Sequence, residues 1–161
     1  KGADGHFEAI SALHKSLRNS DVNAALHYLA RMLEAGEDPK YIVRRLIRFA
    51  SEDIGDADNQ ALVLAVAAKE AVHFVGMPES ALALAQIVIY LALAPKSRKI
   101  NDAYEAALAD IRHKIVAPIP LEIRNPETKL MKDFGFGKGY KPYSGQDMLP
   151  ENLKGQRYYQ P

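Results

Sequence analysis

The sequence predicts an all-α fold: a bundle of about six antiparallel helices followed by an extended, turn-rich C-terminal tail. Three observations carry this. Six segments up to residue 115 set apolar residues at helical spacing. They are bounded by capping residues, glycines and prolines, and joined by connections of a few residues, which makes successive helices antiparallel neighbours. No strand-like alternation of useful length interrupts them, and the composition changes only after Leu121.

In order, Asp4 is placed to cap a first helix carrying Phe7, Ile10, Leu13 and Leu17 inward. Asp21 caps a second, with Leu26, Leu29 and Leu33 inward and Gly36 closing it. Asp38-Pro39 opens a third, a cap followed by proline at the first helical position. Its stripe is Ile42, Val43, Leu46, Ile47 and Phe49-Ala50, and Gly55 ends it. A fourth starts near Asp58 and runs through Leu62, Ala65-Val66 and Lys69 to Val75, with Gly76 after it. A fifth runs from Pro78 to just before Pro95. Residues 81–94 of it are apolar on every side but for Gln86, so protein must surround it, as a central core helix or as half of a subunit interface. Leu84, Ile87, Val88 and Leu91 are the expected core positions. A sixth spans Asn101 to Ile115 and is halted by Pro118 and Pro120.

Residues 1–120 are thus read as a helical bundle and 121–161 as a tail that wraps it. The tail holds five of the 10 glycines, four of the 9 prolines and six of the 13 Phe and Tyr residues. One short helix is expected at Pro126–Phe134. The aromatics Phe134, Phe136, Tyr140, Tyr143, Tyr158 and Tyr159 argue against disorder and are expected to pin the tail.

The bulk numbers bound the rest. A chain of 161 residues is one domain, or one domain with a tail, and can bury a sizeable core. A net charge of +1 argues neither for nor against nucleic acid. With no cysteine there is no disulfide and no thiolate metal site, which suits the cytosol. The run Ala81 to Ala94 is too short to cross a bilayer. The chain opens on Lys1 without a signal-peptide pattern, and we read it as a piece of a longer protein.

Chemical constellations are few. Glu70 and His73, and again Asp110 and His113, have the acid-x-x-His spacing of di-iron bundles, but the second and fifth helices offer no matching inward carboxylates. Ser11 and His14 lack an orienting acid and an oxyanion hole. Gly135-Phe136-Gly137-Lys138-Gly139 resembles a phosphate loop, yet Gly139 is followed by Tyr140 and no strand precedes; a tight turn is the plainer reading. No Walker A or Walker B pattern occurs, so the fragment itself carries no ATPase chemistry of that kind.

The basic residues divide into two clusters. Arg44, Arg45 and Arg48 lie within one helical turn, with Arg48 positioned to pair with Glu52 at i,i+4. Lys96, Arg98 and Lys99 follow Pro95. These six are the candidate contacts to nucleic acid or to another subunit, and any nucleic-acid binding through them should be weak and fall steeply with salt.

Several stretches together resemble the C-terminal domain of the RarA/MgsA family of AAA+ ATPases, relatives of the Werner-helicase-interacting ATPase. They are Arg44-Arg45-Leu46-Ile47-Arg48-Phe49-Ala50-Ser51-Glu52-Asp53-Ile54-Gly55, Gly76-Met77-Pro78-Glu79, Leu84-Ala85-Gln86, Tyr90-Leu91-Ala92 and Ala94-Pro95-Lys96-Ser97. Leu29-Ala30-Arg31-Met32-Leu33, Thr128-Lys129-Leu130-Met131-Lys132 and Leu149-Pro150-Glu151-Asn152-Leu153 extend the likeness over nearly the whole chain. The resemblance implies a clamp-loader-collar-like helical domain that holds subunits together, as a homotetramer. It also implies a cytoplasmic, nucleoid-associated parent with ATP and Mg bound outside this fragment, a DNA-dependent ATPase of stalled replication forks, recombination and repair. Single-strand-binding protein is an expected partner and a membrane is not. Two other classes remain: a freestanding helical scaffold for a protein partner, and an enzyme using the acid-x-x-His pairs.

Overall fold

The structure, a computed structural model, describes residues 2–161, and the side chains of all of these except residues 2–4 and 6. Among the described residues there is no strand. There are seven α-helices: α1 Gly2–Arg18, α2 Val22–Glu34, α3 Pro39–Phe49, α4 Gln60–Val75, α5 Ala81–Leu93, α6 Lys99–His113 and α7 Lys129–Asp133. The chain divides into two compact units between Ala103 and Tyr104, within α6.

Local signals set the starts of the helices in the first unit. The Asp21 carboxylate accepts the Ala24 N–H at 2.9 Å and the Asp38 carboxylate accepts the Lys40 N–H at 2.9 Å, with Pro39 opening α3. Asp58 accepts the Gln60 N–H at 3.0 Å and fixes the start of α4. α1 differs: the helix already runs through residue 4, so Asp4 is not its first residue, and the side chain expected to cap lies outside the described ones. Gly76 at φ +79 follows α4, and the turn at 77–80 delays α5 to Ala81 rather than Pro78.

The centre of this unit is α5, which packs on α1, α2, α3 and α4. Leu84, Val88 and Leu91 are 0% exposed and Ile87 3%. Around them lie Ile10, Leu13 and Leu17 of α1, Leu29 and Met32 of α2, and Ile42, Val43, Leu46 and Phe49 of α3. α4 contributes Ala61, Ala65, Ala68 and Val72. This alanine row lets the backbones come close, and the larger Leu62 and Val66 lie on exposed flanks. Phe7 is likewise exposed, and Leu26, Leu33 and Ile47 are only half-buried.

The segment after α3 departs from α-geometry. Ala50–Ile54 forms a π-helical turn closed by the Gly55 N–H on the Ala50 carbonyl, and Gly55–Ala57 continues as a 3-10 turn. Gly55 has φ +52, and a Cβ there would meet Ile100 Cδ1 at 3.3 Å, so no other residue fits comfortably. The π-turn brings Asp53, 4% exposed, to the meeting point of three segments. Its carboxylate accepts Arg18 Nε of α1 at 2.9 Å and Arg98 Nη1 at 3.2 Å. Its carbonyl accepts the Ser97 N–H at 2.8 Å. Beside it, Glu52 pairs with Arg48 at 2.8 Å and lies 3.5 Å from Arg98; the Arg48 hydrogen bond leads in holding its carboxyl below the ordinary value. His14 is buried against Phe49 with ring centroids 5.7 Å apart. Burial, then the charges of Arg45 and Arg18, lower its pKa from 6.5, against the opposing pull of Asp53 and Glu52.

The second unit is organised around the later part of α6. The Tyr158 hydroxyl donates to Asp110 at 2.7 Å, Lys114 pairs with the same carboxylate at 2.9 Å, and Asn152 Nδ2 donates to the Ile115 carbonyl at 2.9 Å. α7 is shorter than expected because Thr128 caps it, accepting the Met131 N–H at 3.1 Å. Gly135, Gly137 and Gly139 all have positive φ, so this stretch is a series of turns; the Gly137 N–H donates to Leu121 and Arg124 lies over the Phe136 ring. Of the six tail aromatics, Phe136 and Tyr158 are half-buried, while Phe134, Tyr140, Tyr143 and Tyr159 are largely exposed.

Three outcomes follow for stability. Leu84→Ala or Leu91→Ala should each cost about 2–5 kcal/mol in denaturant melts; a loss near zero at both would contradict the central place of α5. Asp53→Ala should cost about 2–3 kcal/mol, less than a wholly buried pair because both arginines are half-exposed. Because the His14 pKa is lowered on folding, its contribution is fully present above the ordinary value of 6.5 and is lost as pH falls below it. Urea melts at neutral and mildly acidic pH should show this slope, at most about 1.4 kcal/mol per pH unit, and His14→Gln should flatten it.

Candidate functional site

The six cations singled out in the sequence separate by environment. Arg48 and Arg98 are committed to Glu52 and Asp53. Lys96 is turned onto the end of α5: its ammonium donates to the Ala94 carbonyl at 2.6 Å, the Ala92 carbonyl at 2.9 Å and Ser20 Oγ at 3.2 Å. Burial lowers its pKa, opposed by the charge of Asp53. The Ala94-Pro95-Lys96-Ser97 stretch is therefore a structural joint: Lys96 closes the helix end and Ser97 donates to Asp53. Arg45 is half-buried near His14. Lys99 is exposed at the start of α6. Arg44 is exposed and faces a groove.

Sequence reading overlooked Arg18, whose guanidinium reaches Asp53 across 35 positions of chain. It also overlooked the groove that Arg44 faces. This groove, about 460 Å³, runs between α3 and α4 and is lined by Lys40, Val43, Arg44, Lys69, Glu70 and His73.

A second groove of about 430 Å³ lies between α4 and α5 and is mostly apolar, with Gln86 and Tyr90 among its lining. On α4 it is bounded by Leu64, Ala67 and Ala71. On α5 it is lined by Gln86, Ile89 and Leu93, which with Leu82, outside the groove itself, recur at spacings of four, three and four, a seam on one helix face. Leu82 is 80% exposed, Leu93 68% and Phe74, near the end of α4, 90%. The fifth helix thus combines both readings of its sequence, with one face in the core and the other open and apolar. Patches of this kind mark interaction sites.

Among the described residues, the acid-x-x-His and Ser-His pairs seen in the sequence do not come together as sites. Among the described residues no group of three His, Cys, Asp or Glu side chains could hold a metal ion. Glu70 pairs with Lys69 at 2.8 Å, and Asp110 is engaged by Lys114 and Tyr158. Ser11 is exposed while His14 is buried. No described helix is long and apolar enough to cross a membrane.

The chain matches known proteins along nearly its whole length. The chain is 46% identical to the ATPase WRNIP1 of Dictyostelium discoideum over 99% of its length, which is 19% of that protein. It is 44% identical to the replication-associated recombination protein A of Coxiella burnetii over 100% of the chain and 38% of that protein. The Escherichia coli K12 protein of the same name is 43% identical over 98% of the chain and 37% of its own length. The chain thus spans about a fifth to two-fifths of these relatives. The family model described as MgsA AAA+ ATPase C terminal matches residues 19–161, from the end of α1 through the tail, and the helical domain built here belongs to that family.

Proposed function

We propose that this chain is the oligomerisation domain of a clamp-loader-like AAA+ ATPase that acts on DNA at stalled replication forks, in the cytoplasm at the nucleoid. The observation that carries the assembly reading is the open apolar face of α4 and α5. Its heptad-like seam on α5 and the small Ala67 and Ala71 opposite make a trough into which a helix of another copy can pack. Closed homo-oligomers reuse one surface symmetrically, and a stable contact must bury more than about 1,000 Å².

The family supplies the rest of the reading: a homotetramer, ATP and Mg held by the rest of the parent, and single-strand-binding protein as a further partner. The relatives named for replication-associated recombination support the setting at damaged or stalled forks. Within this chain, the absence of Walker motifs is consistent with an assembling rather than a hydrolysing role.

Light scattering over a dilution series should give four times the 17.8 kDa of one chain. Leu82→Glu combined with Leu93→Glu should shift the mass toward the monomer. Both side chains are exposed, so the fold itself should lose less than about 0.5 kcal/mol per site. A wild-type monomer at high micromolar concentration would remove the assembly role and leave a freestanding scaffold for a protein partner as the better reading.

A further inference from the structure

We propose that the groove between α3 and α4 binds the phosphate backbone of nucleic acid, so that this domain contacts DNA itself. The inference rests on the reading of the parent as a DNA-acting protein and adds a site within this chain.

The groove brings together side chains far apart in sequence. Lys40 and Arg44 are one helical turn apart on α3, and Lys69 and His73 are one turn apart on α4. All four are exposed, and Val43 forms the apolar floor. Three permanent cations stand against one carboxylate, Glu70, which pairs with its neighbour Lys69. Among the described residues Lys40 and Arg44 make no salt bridge, in contrast to Arg48, one turn further along α3, which is held by Glu52. The chain as a whole carries a net charge of only +1, so this cluster is a local excess and not a reflection of overall composition.

The chemistry of the lining selects the ligand. Arginine and lysine on facing helices suit successive phosphates along a strand, and His73 adds a ring N–H donor. No Phe, Tyr or Trp lines the groove, so it offers no large ring platform for successive bases. The contact is therefore to the backbone and indifferent to sequence. The groove also lies apart from the apolar trough. On the α4 wheel, Lys69 and His73 occupy one flank and Leu64, Ala67 and Ala71 the other, with the buried alanine row between them. One helix can serve both surfaces at once.

The test is fluorescence anisotropy with a labelled single-stranded oligonucleotide at low salt. Combined Lys40→Gln, Arg44→Gln and Lys69→Gln should weaken binding at least about tenfold and flatten the slope of log K against log salt by about two, at roughly 0.7 per lost phosphate contact. Glu70→Gln should act in the opposite direction and tighten binding, an effect that loss of folding cannot mimic. An unchanged affinity in the triple variant, or no binding by the intact chain, overturns the proposal. So does displacement by an acidic peptide at lower charge concentration than by unlabelled DNA, which would make the groove a protein-binding site. Light scattering on the same variants should show the assembly state of the unaltered chain. A tetramer that does not bind DNA sinks the groove alone, and a monomer that binds through it sinks the assembly reading alone.

Discussion

One carboxylate holds the first unit together. Asp53 receives a guanidinium from α1 and another from Arg98 just ahead of α6, and its own carbonyl takes the Ser97 N–H of the loop between α5 and α6. Helical packing alone fixes neighbouring axes through apolar ridges, which tolerate sliding. Directional charged hydrogen bonds do not. The joint therefore sets the register among elements that the apolar core only presses together. Lys96 reinforces it by drawing the α5 terminus onto Ser20, so the segment after α5 is anchored from two sides. A buried acid is an expensive way to stabilise a fold, and replacing such pairs by apolar residues is often neutral. Its use here fits a domain whose helices must keep a fixed relation to one another.

That fixed relation matters because α4 divides two unlike surfaces. Its small buried row, Ala61, Ala65 and Ala68, keeps the helix close to both α3 and α5. Close packing leaves the bulkier and charged side chains no room inside. They emerge on the flanks, apolar ones toward α5 and basic ones toward α3. A single sequence feature, alanines at intervals of three and four, thus generates a core contact and exposes the groups proposed to carry assembly and phosphate binding.

Much of the fold was legible in the sequence because its signals are local. Asp21 and Asp38-Pro39 cap the helices they precede, and the apolar stripe of α3 is buried almost as its spacing suggests. Periodicity does not mark which residues of α4 face inward: alanine is the residue the crowded site requires, and the larger Leu62 and Val66 lie outside it. The fifth helix is apolar all round, so its pattern could not separate the buried face from the open one. The π-turn left no compositional mark, since an i→i+5 bond asks nothing special of its residues. The grooves and the Arg18–Asp53 contact join positions dozens of residues apart, and only packing brings them together. Of the six cations named in advance, Arg44 alone lines the basic groove.

The π-turn also sets a rule for how this chain can change length. A π-turn accommodates one residue more than an α-turn over the same rise. Deleting one position between Ala50 and Ile54 would let the segment close as an ordinary α-turn and change the directions in which the turn's own side chains point. Glu52 and Asp53, inside the turn, would then lose their aim at Arg18 and Arg98. Insertions and deletions are ordinarily absorbed in exposed loops. In this domain the stretch from Phe49 to Gly55 should keep its residue count while its side chains vary, and the turn-rich segments of the tail should lengthen and shorten freely.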